Sequence, residues 1–198
     1  MSPPVQRLAI LASGSGTNLQ AILDYCDALG PARPVDVVLV ASDRPQAFAL
    51  ERARRHGIAT AVIERPADGE TLAALLERHR VDLVALAGYL KLVPSAVTGR
   101  WPGRIVNVHP ALLPRFGGAG MYGRRVHEAV LAAHEGESGA TVHVVDEQYD
   151  HGAILAQERV PVEPGDTPET LAARVLTVEH RLYPRTLHAL ALELAKTP

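Results

Sequence analysis

Over its first hundred residues the chain alternates short, almost wholly apolar runs with stretches of helical spacing, and this alternation is what most restricts its fold. Leu8 to Ala12, Val35 to Ala41, Ala59 to Ile63, Leu83 to Ala87 and Ile105 to His109 read as strands. Runs this continuously apolar suit a sheet buried on both faces. Between them lie three helical stretches: Asn18 to Leu29, with Leu19, Ile22, Leu23 and Cys26 on one face; Gln46 to His56, stopped by Gly57; and Glu70 to His79. Gly88 to Trp101 reads as a loop with a short helix. The pattern predicts an α/β, Rossmann-like sheet, mainly parallel, with right-handed crossovers and helices on both faces.

Beyond His109 the pattern changes. Pro110 to Arg124 is rich in glycine and proline and long for an ordinary loop. Arg125 to His134 is helical in spacing. Thr141 to Val145 and Ile154 to Val160 read as antiparallel strands joined by Asp-Glu-Gln-Tyr-Asp-His-Gly. Asp166-Thr167-Pro168-Glu169 opens a long last helix reaching about Ala195, in which Pro184 is expected to introduce a kink. The 198 residues, 47% of them hydrophobic, suffice for one core, and a single domain over 1–198 is expected.

Net charge of −2 argues against a general nucleic-acid or membrane-surface binder. No apolar run reaches the length of a membrane span, and the first ten residues, MSPPVQRLAI, lack the apolar region of a secretory leader. A cytoplasmic protein is expected. The single cysteine, Cys26, cannot form an intramolecular disulfide and reads as a buried thiol.

Three groups of residues carry chemistry. Ser13-Gly14-Ser15-Gly16-Thr17-Asn18 follows a strand and opens a helix, where backbone N–H groups and the helix dipole favour an anion. Leu19 stands where a dinucleotide fingerprint wants its third glycine, and no lysine completes a Walker loop, so a monophosphate is the anion expected. The same geometry serves equally as a plain turn with Thr17 or Asn18 capping the helix. Asn107 and His109 share one face at the carboxyl end of a strand, ahead of Pro110, where open α/β sheets bind ligands. Both donate hydrogen bonds and together suit an oxyanion, although a satisfied polar pair at a strand end reads as well. Asp150, in the turn Tyr149 to Gly152, is either a turn aspartate or a carboxylate partner for His109 that raises the imidazole pKa and relays a proton. His143, on the face of Thr141, is given a supporting role. Nothing shows metal-ligand spacing, and no nucleophile elbow is present.

Taken together, these segments resemble the folate-dependent formyltransferases. Asn107-Val-His-Pro-Ala-Leu-Leu-Pro114 is similar to that family's signature. Ser13 to Ala21, Ala87-Gly-Tyr-Leu-Lys91, Gly139-Ala-Thr-Val-His143 followed by Asp150, and Glu179-His180-x-x-Tyr-Pro184 extend the likeness over nearly the whole chain. The resemblance implies 10-formyltetrahydrofolate as formyl donor, no metal, and glycinamide ribonucleotide (GAR) as acceptor. It implies Asn107, His109 and Asp150 as the catalytic trio. Ser15, Gly16, Thr17, Asn18, Gly88, Pro110 and Glu179 fall at GAR positions. Leu90, Lys91, Leu92, Val93, Asn107, Val145 and Tyr149 fall at folate positions, with Arg65 as a partner for the folate glutamate tail. Residues 1–100 then form the phosphate and GAR half, and 101–198 the catalytic and folate half. A monomer or homodimer acting on small molecules is implied, with neither nucleic acid nor membrane as partner. Sister enzymes that formylate initiator tRNA or hydrolyse the formyl donor share the trio but are expected to carry further domains. A non-catalytic nucleotide- or folate-binding module on the same sheet is the remaining alternative.

Overall fold

The computed structural model describes residues 5–196. The first four residues, part of the start read above as lacking an apolar leader, and the last two lie outside the described residues. Seven strands form one sheet: β1 (Gln6–Leu11), β2 (Val35–Ser42), β3 (Ala59–Val62), β4 (Leu83–Leu86), β5 (Ile105–His109), β6 (Glu137–Val144) and β7 (Ile154–Pro161). Six α-helices accompany them: α1 (Thr17–Leu29), α2 (Phe48–Arg55), α3 (Gly69–Arg78), α4 (Ser95–Thr98), α5 (Arg124–Ala132) and α6 (Pro168–Leu194). The sheet order is β3-β2-β1-β4-β5-β6-β7. The first five strands run parallel, and β6 and β7 are antiparallel additions.

The apolar runs divide by alternation. Leu8 and Ile10 of β1, Val40 of β2, Ala85 of β4 and Val106 and Val108 of β5 pack with Leu19, Ile22 and Leu23 of α1 and Tyr183 and Leu187 of α6. Ala9, Leu11, Leu39, Val84 and Leu86 face the other way, onto Leu72, Ala73 and Leu76 of α3. Burial on both faces is why these strands carry almost no polar residue. A third cluster joins Val130 of α5, Ala140, Val160 and the start of α6 at Leu171, Val175 and Val178. Cys26 belongs to the first cluster, and burial pushes its thiol up to about 11.

The expected elements are all present, with instructive shifts. β6 starts at Glu137, four residues before the expected Thr141, because Glu137 to Ala140 pair with β7 and an Arg159–Glu137 ion pair crosses the strands at 2.6 Å. Pairing there overrides a polar, glycine-containing sequence. α6 begins as the sequence suggests: Thr167 and Thr170 form a reciprocal capping box, with Pro168 in the first turn. Its helical run continues through Pro184. Tyr183, fully buried, donates its hydroxyl toward Leu86 O at 3.1 Å and Val106 O at 3.0 Å, tying the helix to β4 and β5. No helix of the described residues is long and apolar enough to cross a membrane.

Candidate active site

Strand order reverses at β1, which has β2 on one side and β4 on the other. Open α/β sheets place their ligand crevice outside the carboxyl ends of strands at such a switch. Here the chain leaving β1 is laced to the chain leaving β4. Ser13 N–H donates to Gly88 O at 3.0 Å, and Ser13 Oγ accepts from Leu90 N–H at 3.0 Å while donating to Asp43 at 2.5 Å. A cleft of about 700 Å³ opens at this edge.

Asn107, His109 and Asp150 meet on its wall. Alternation along β5 turns Asn107 and His109 to one side. Asp150 arrives from the β6–β7 connection, folded back with φ of +56°. Its Oδ2 lies 3.4 Å from His109 Nδ1 and accepts from Gly118 N–H at 3.0 Å. Its Oδ1 lies 3.4 Å from both Asn107 Nδ2 and His143 Nε2. His143 Nδ1 donates to Val144 O at 2.8 Å, and its Nε2 lies 3.1 Å from Asn107 Nδ2, so the ring braces both Asn107 and Asp150.

His109 is 3% exposed, and its Nε2 donates to Phe116 O at 2.8 Å. Burial pushes its pKa below the ordinary imidazole value, although the Asp150 carboxylate and the Phe116 carbonyl pull it upward. This corrects the sequence expectation: Asp150 acts in the expected direction, but desolvation of the ring outweighs it. Burial pushes Asp150 up, but His143, His109 and the Gly118 N–H together hold it below the usual carboxylate range. The pair is thus an ionised carboxylate beside a ring that gives up a proton readily.

The glycine loop forms the other end. Gly16, not Thr17 or Asn18, is the N-cap of α1, in the left-handed conformation at φ +71° and with no side-chain cap. A side chain on Gly16 would come within 2.8 Å of Ala49 Cα, so both backbone conformation and the approach of α2 require glycine. The first amides of α1 therefore carry no side-chain cap. Asn18 Nδ2 donates to Glu179 Oε2 at 2.6 Å, and Arg52 holds the loop from outside through Ser15 O at 2.9 Å. Burial pushes the Glu179 carboxyl up to about 7, against the lowering effect of the Asn18 bond.

Ser15, Thr17, Asn18, Gly88, Pro110 and Glu179 all line the cleft, and Gly16 sits behind it as the cap. Leu90, Lys91, Leu92 and Val93 line it after β4, as do Val145 and Tyr149. Arg65 is not brought to the cleft: it lies on the surface, paired with Asp68 at 3.1 Å. Sequence reasoning missed His127 of α5, which is buried, lines the cleft and has Nδ1 without a partner; burial and nearby His109 both lower its pKa. Glu179 belongs to a stripe of α6 whose earlier members Glu169, Ala172, Ala173 and Leu176 also line the cleft. Its three- and four-residue spacing is the signal that marks one helix face. Among the described residues no group of three or more His, Cys, Asp and Glu is placed to hold a metal ion.

The comparisons with known proteins agree. The family model described as Formyl transferase matches residues 6–187. The chain is 44% identical over 201 residues to a chloroplastic phosphoribosylglycinamide formyltransferase of Arabidopsis thaliana, covering 98% of this chain and 68% of that protein. It is 40% identical to the trifunctional purine biosynthetic protein adenosine-3 of Drosophila pseudoobscura pseudoobscura, spanning 96% of this chain but 14% of that protein's length. Among solved structures it superposes on glycinamide ribonucleotide transformylase 1 from Symbiobacterium toebii with a TM-score of 0.87 at 41% identity, covering 96% of this chain and 89% of that one. A phosphoribosylglycinamide formyltransferase from Bacillus Halodurans gives 0.85 at 40% identity, over 93% of this chain and 95% of that one. Fold, cleft and relatives point the same way, and the chain belongs to the formyl transferase family.

Proposed function

We propose that the chain transfers the formyl group of 10-formyltetrahydrofolate to the primary amine of GAR, with Asn107, His109 and Asp150 as catalytic residues. The observation that carries this reading is the convergence of His109 and Asn107 on Asp150, each at 3.4 Å, in a cleft whose far end is an uncapped helix N-terminus. GAR's 5′-phosphate sits at Ser15 to Asn18 beside Glu179, and Gly88 and Pro110 flank the rest of the molecule. The pteridine lies against Leu90, Leu92, Val93 and Val145, with Lys91 and Tyr149 toward the mouth. Arg65, on the surface outside the cleft lining, is left to meet the folate glutamate tail.

The amine nitrogen bonds to the formyl carbon, and the carbonyl π pair moves onto oxygen. The amide N–H of Asn107 and an N–H of His109 donate to that oxyanion. In the substrate-free chain His109 donates to Phe116 O, so the formyl oxygen takes the place of that carbonyl. Asp150 stabilises the imidazolium and takes a proton from the attacking amine through water. Collapse breaks the bond to folate N10, which gains a proton as it leaves, so proton loss and gain balance. Holding both substrates in one cleft supplies much of the remaining acceleration. In this reading one domain spans 1–198, with the phosphate held by 1–100 and the trio supplied by 101–198. The chain works in the cytoplasm as a monomer or homodimer on small molecules alone.

The test is loss of 10-formyltetrahydrofolate followed by absorbance, with and without GAR. GAR-dependent turnover is expected. Equal turnover without GAR would make the acceptor water, and no turnover from folded protein would leave a binding module.

A further inference from the structure

Ser13 is 2% exposed and stands where two segments of the cleft part company. The β1–β4 ladder ends at Leu11 and Leu86, and Ala87 N–H still donates to Leu11 O at 2.8 Å. Two residues on, Ser13 N–H donates to Gly88 O at 3.0 Å. Beyond that point a side chain takes over, and Ser13 Oγ accepts from Leu90 N–H at 3.0 Å. The chain leaving β1 continues as the glycine loop, and the chain leaving β4 continues as Leu90 to Val93. One buried hydroxyl therefore joins the root of the first segment to the start of the second.

The hydroxyl is itself oriented. A serine has one hydrogen to give and two lone pairs. Asp43, just past β2, takes the hydrogen at 2.5 Å, as short as a charge-assisted bond to a carboxylate. That turns a lone pair toward the Leu90 N–H. The residues on either side of Ser13 are pinned as well: Ala12 N–H donates to Ala41 O of β2 at 3.0 Å, and Gly14 O accepts from Ala49 N–H of α2 at 3.1 Å. The root of the glycine loop has little slack, and the Leu90 bond passes that rigidity to the segment after β4. Ser15 and Leu90 line the cleft, whereas Ser13 and Asp43 stand outside its lining.

We propose that the hydrogen-bond chain Asp43–Ser13–Leu90 is a spacer that sets the gap between the two substrates, which makes Ser13 and Asp43 positioning residues of formyl transfer. The proposal rests on the reading that GAR binds along the glycine loop and the folate along Leu90 to Val93. The attacking nitrogen closes on a formyl carbon carried by a different molecule. The relative placement of the two binding segments therefore enters the rate directly, and a shift of about 1 Å costs on the order of 10²-fold. Each segment holds its ligand with its own groups, so the spacer governs the encounter of the bound substrates and neither affinity.

The experiment compares Ser13→Ala, Asp43→Ala and Asp43→Asn with the unmodified full chain. Calorimetry gives the Kd of 10-formyltetrahydrofolate alone and of ribose 5-phosphate alone, and absorbance gives kcat with GAR. Ser13→Ala removes the spacer and should lower kcat about 10²-fold while either Kd changes less than about twofold. Asp43→Ala leaves the hydroxyl free to rotate and should lower kcat about tenfold, the equivalent of one hydrogen bond. Asp43→Asn keeps an oxygen for the hydroxyl hydrogen, so its kcat should return to within about threefold of the unmodified chain's. Normal kcat in Ser13→Ala or Asp43→Ala overturns the spacer. So does a loss in Asp43→Asn as large as that in Asp43→Ala, which would make the charge the operative feature. A weakened Kd with kcat unchanged also overturns it, because the pair would then serve binding or folding. Asp43 is half-buried in a loop, so its two variants decide the matter should Ser13→Ala fail to fold. No GAR-dependent turnover in the unmodified chain overturns the formyltransferase reading and the spacer together, whereas an active chain with equally active variants overturns the spacer alone.

Discussion

Gly152 fixes where Asp150 stands, and a single methyl group there tests how tightly the trio must be held. A Cβ at Gly152 would lie 2.0 Å from Val144 O and 2.8 Å from Val144 C. Restoring an ordinary 3.4 Å contact requires a movement of 3.4 − 2.0 = 1.4 Å. Val144 is held in β6, paired with Val106, so the turn moves and the strand does not. Asp150 is two residues from the clash and already at 3.4 Å from His109 and Asn107. Displacement of a catalytic group by about 1 Å costs on the order of 10²-fold in rate. Gly152→Ala should therefore lower kcat about 10²-fold and destabilise the fold by about 1–3 kcal/mol through overpacking. KM for GAR should change little, because the phosphate end is built by α1 and α6. Steady-state formyl transfer with far-ultraviolet circular dichroism decides the matter. Gly136→Ala is the control, since an added Cβ there meets nothing within 4 Å. A folded Gly152→Ala protein with unchanged kcat would refute the claim that this close approach sets the position of Asp150.

Asn107→Ala and His109→Ala should each cost on the order of 10²–10³ in kcat with folding intact, and near-normal turnover in either would remove it from the oxyanion site. Asp150→Asn deletes the charge that pulls the His109 pKa upward, so that pKa falls further. A reaction needing protonated His109 loses rate as pH rises through this pKa, and the alkaline limb of the kcat profile should move to lower pH; an unmoved limb would show that the ring is not the titrating group. Tyr183→Phe removes a buried donor shared by Leu86 O and Val106 O and should cost about 1–3 kcal/mol. That corresponds to a fall of roughly 2–12 °C in Tm by calorimetry, and an unchanged Tm would count against the tether.

The strands and helices were legible because burial on two faces leaves so few ways to write them. β5 is bounded at Ile105 and His109 as expected, since Pro110 cannot continue it. β6 was read short because Glu137 to Ala140 become strand only by pairing with β7. That Asn107, His109 and Asp150 could meet was legible, but not the protonation balance between them. Asp150 alone suggests a raised imidazole pKa, and only the enclosing fold shows that desolvation wins. His127 was not legible, because nothing local distinguishes an imidazole facing a cleft from one facing a core. Nor was the place of Arg65 legible: a surface arginine finds the nearest carboxylate, Asp68, and local sequence does not reveal which way it turns.

The stripe on α6 has a consequence for how such a chain can change over generations. Glu169 and Glu179 stand ten residues apart on one rigid helix, about 15 Å along its axis, with Tyr183 one turn further on. One residue inserted between them would swing everything beyond it by about 100°. Glu179 would leave Asn18, and Tyr183 would leave the ends of β4 and β5, in the same event. Side chains along this face are free to drift one at a time, but its residue count is locked from both ends. Alterations in length are therefore confined to the connections outside this helix.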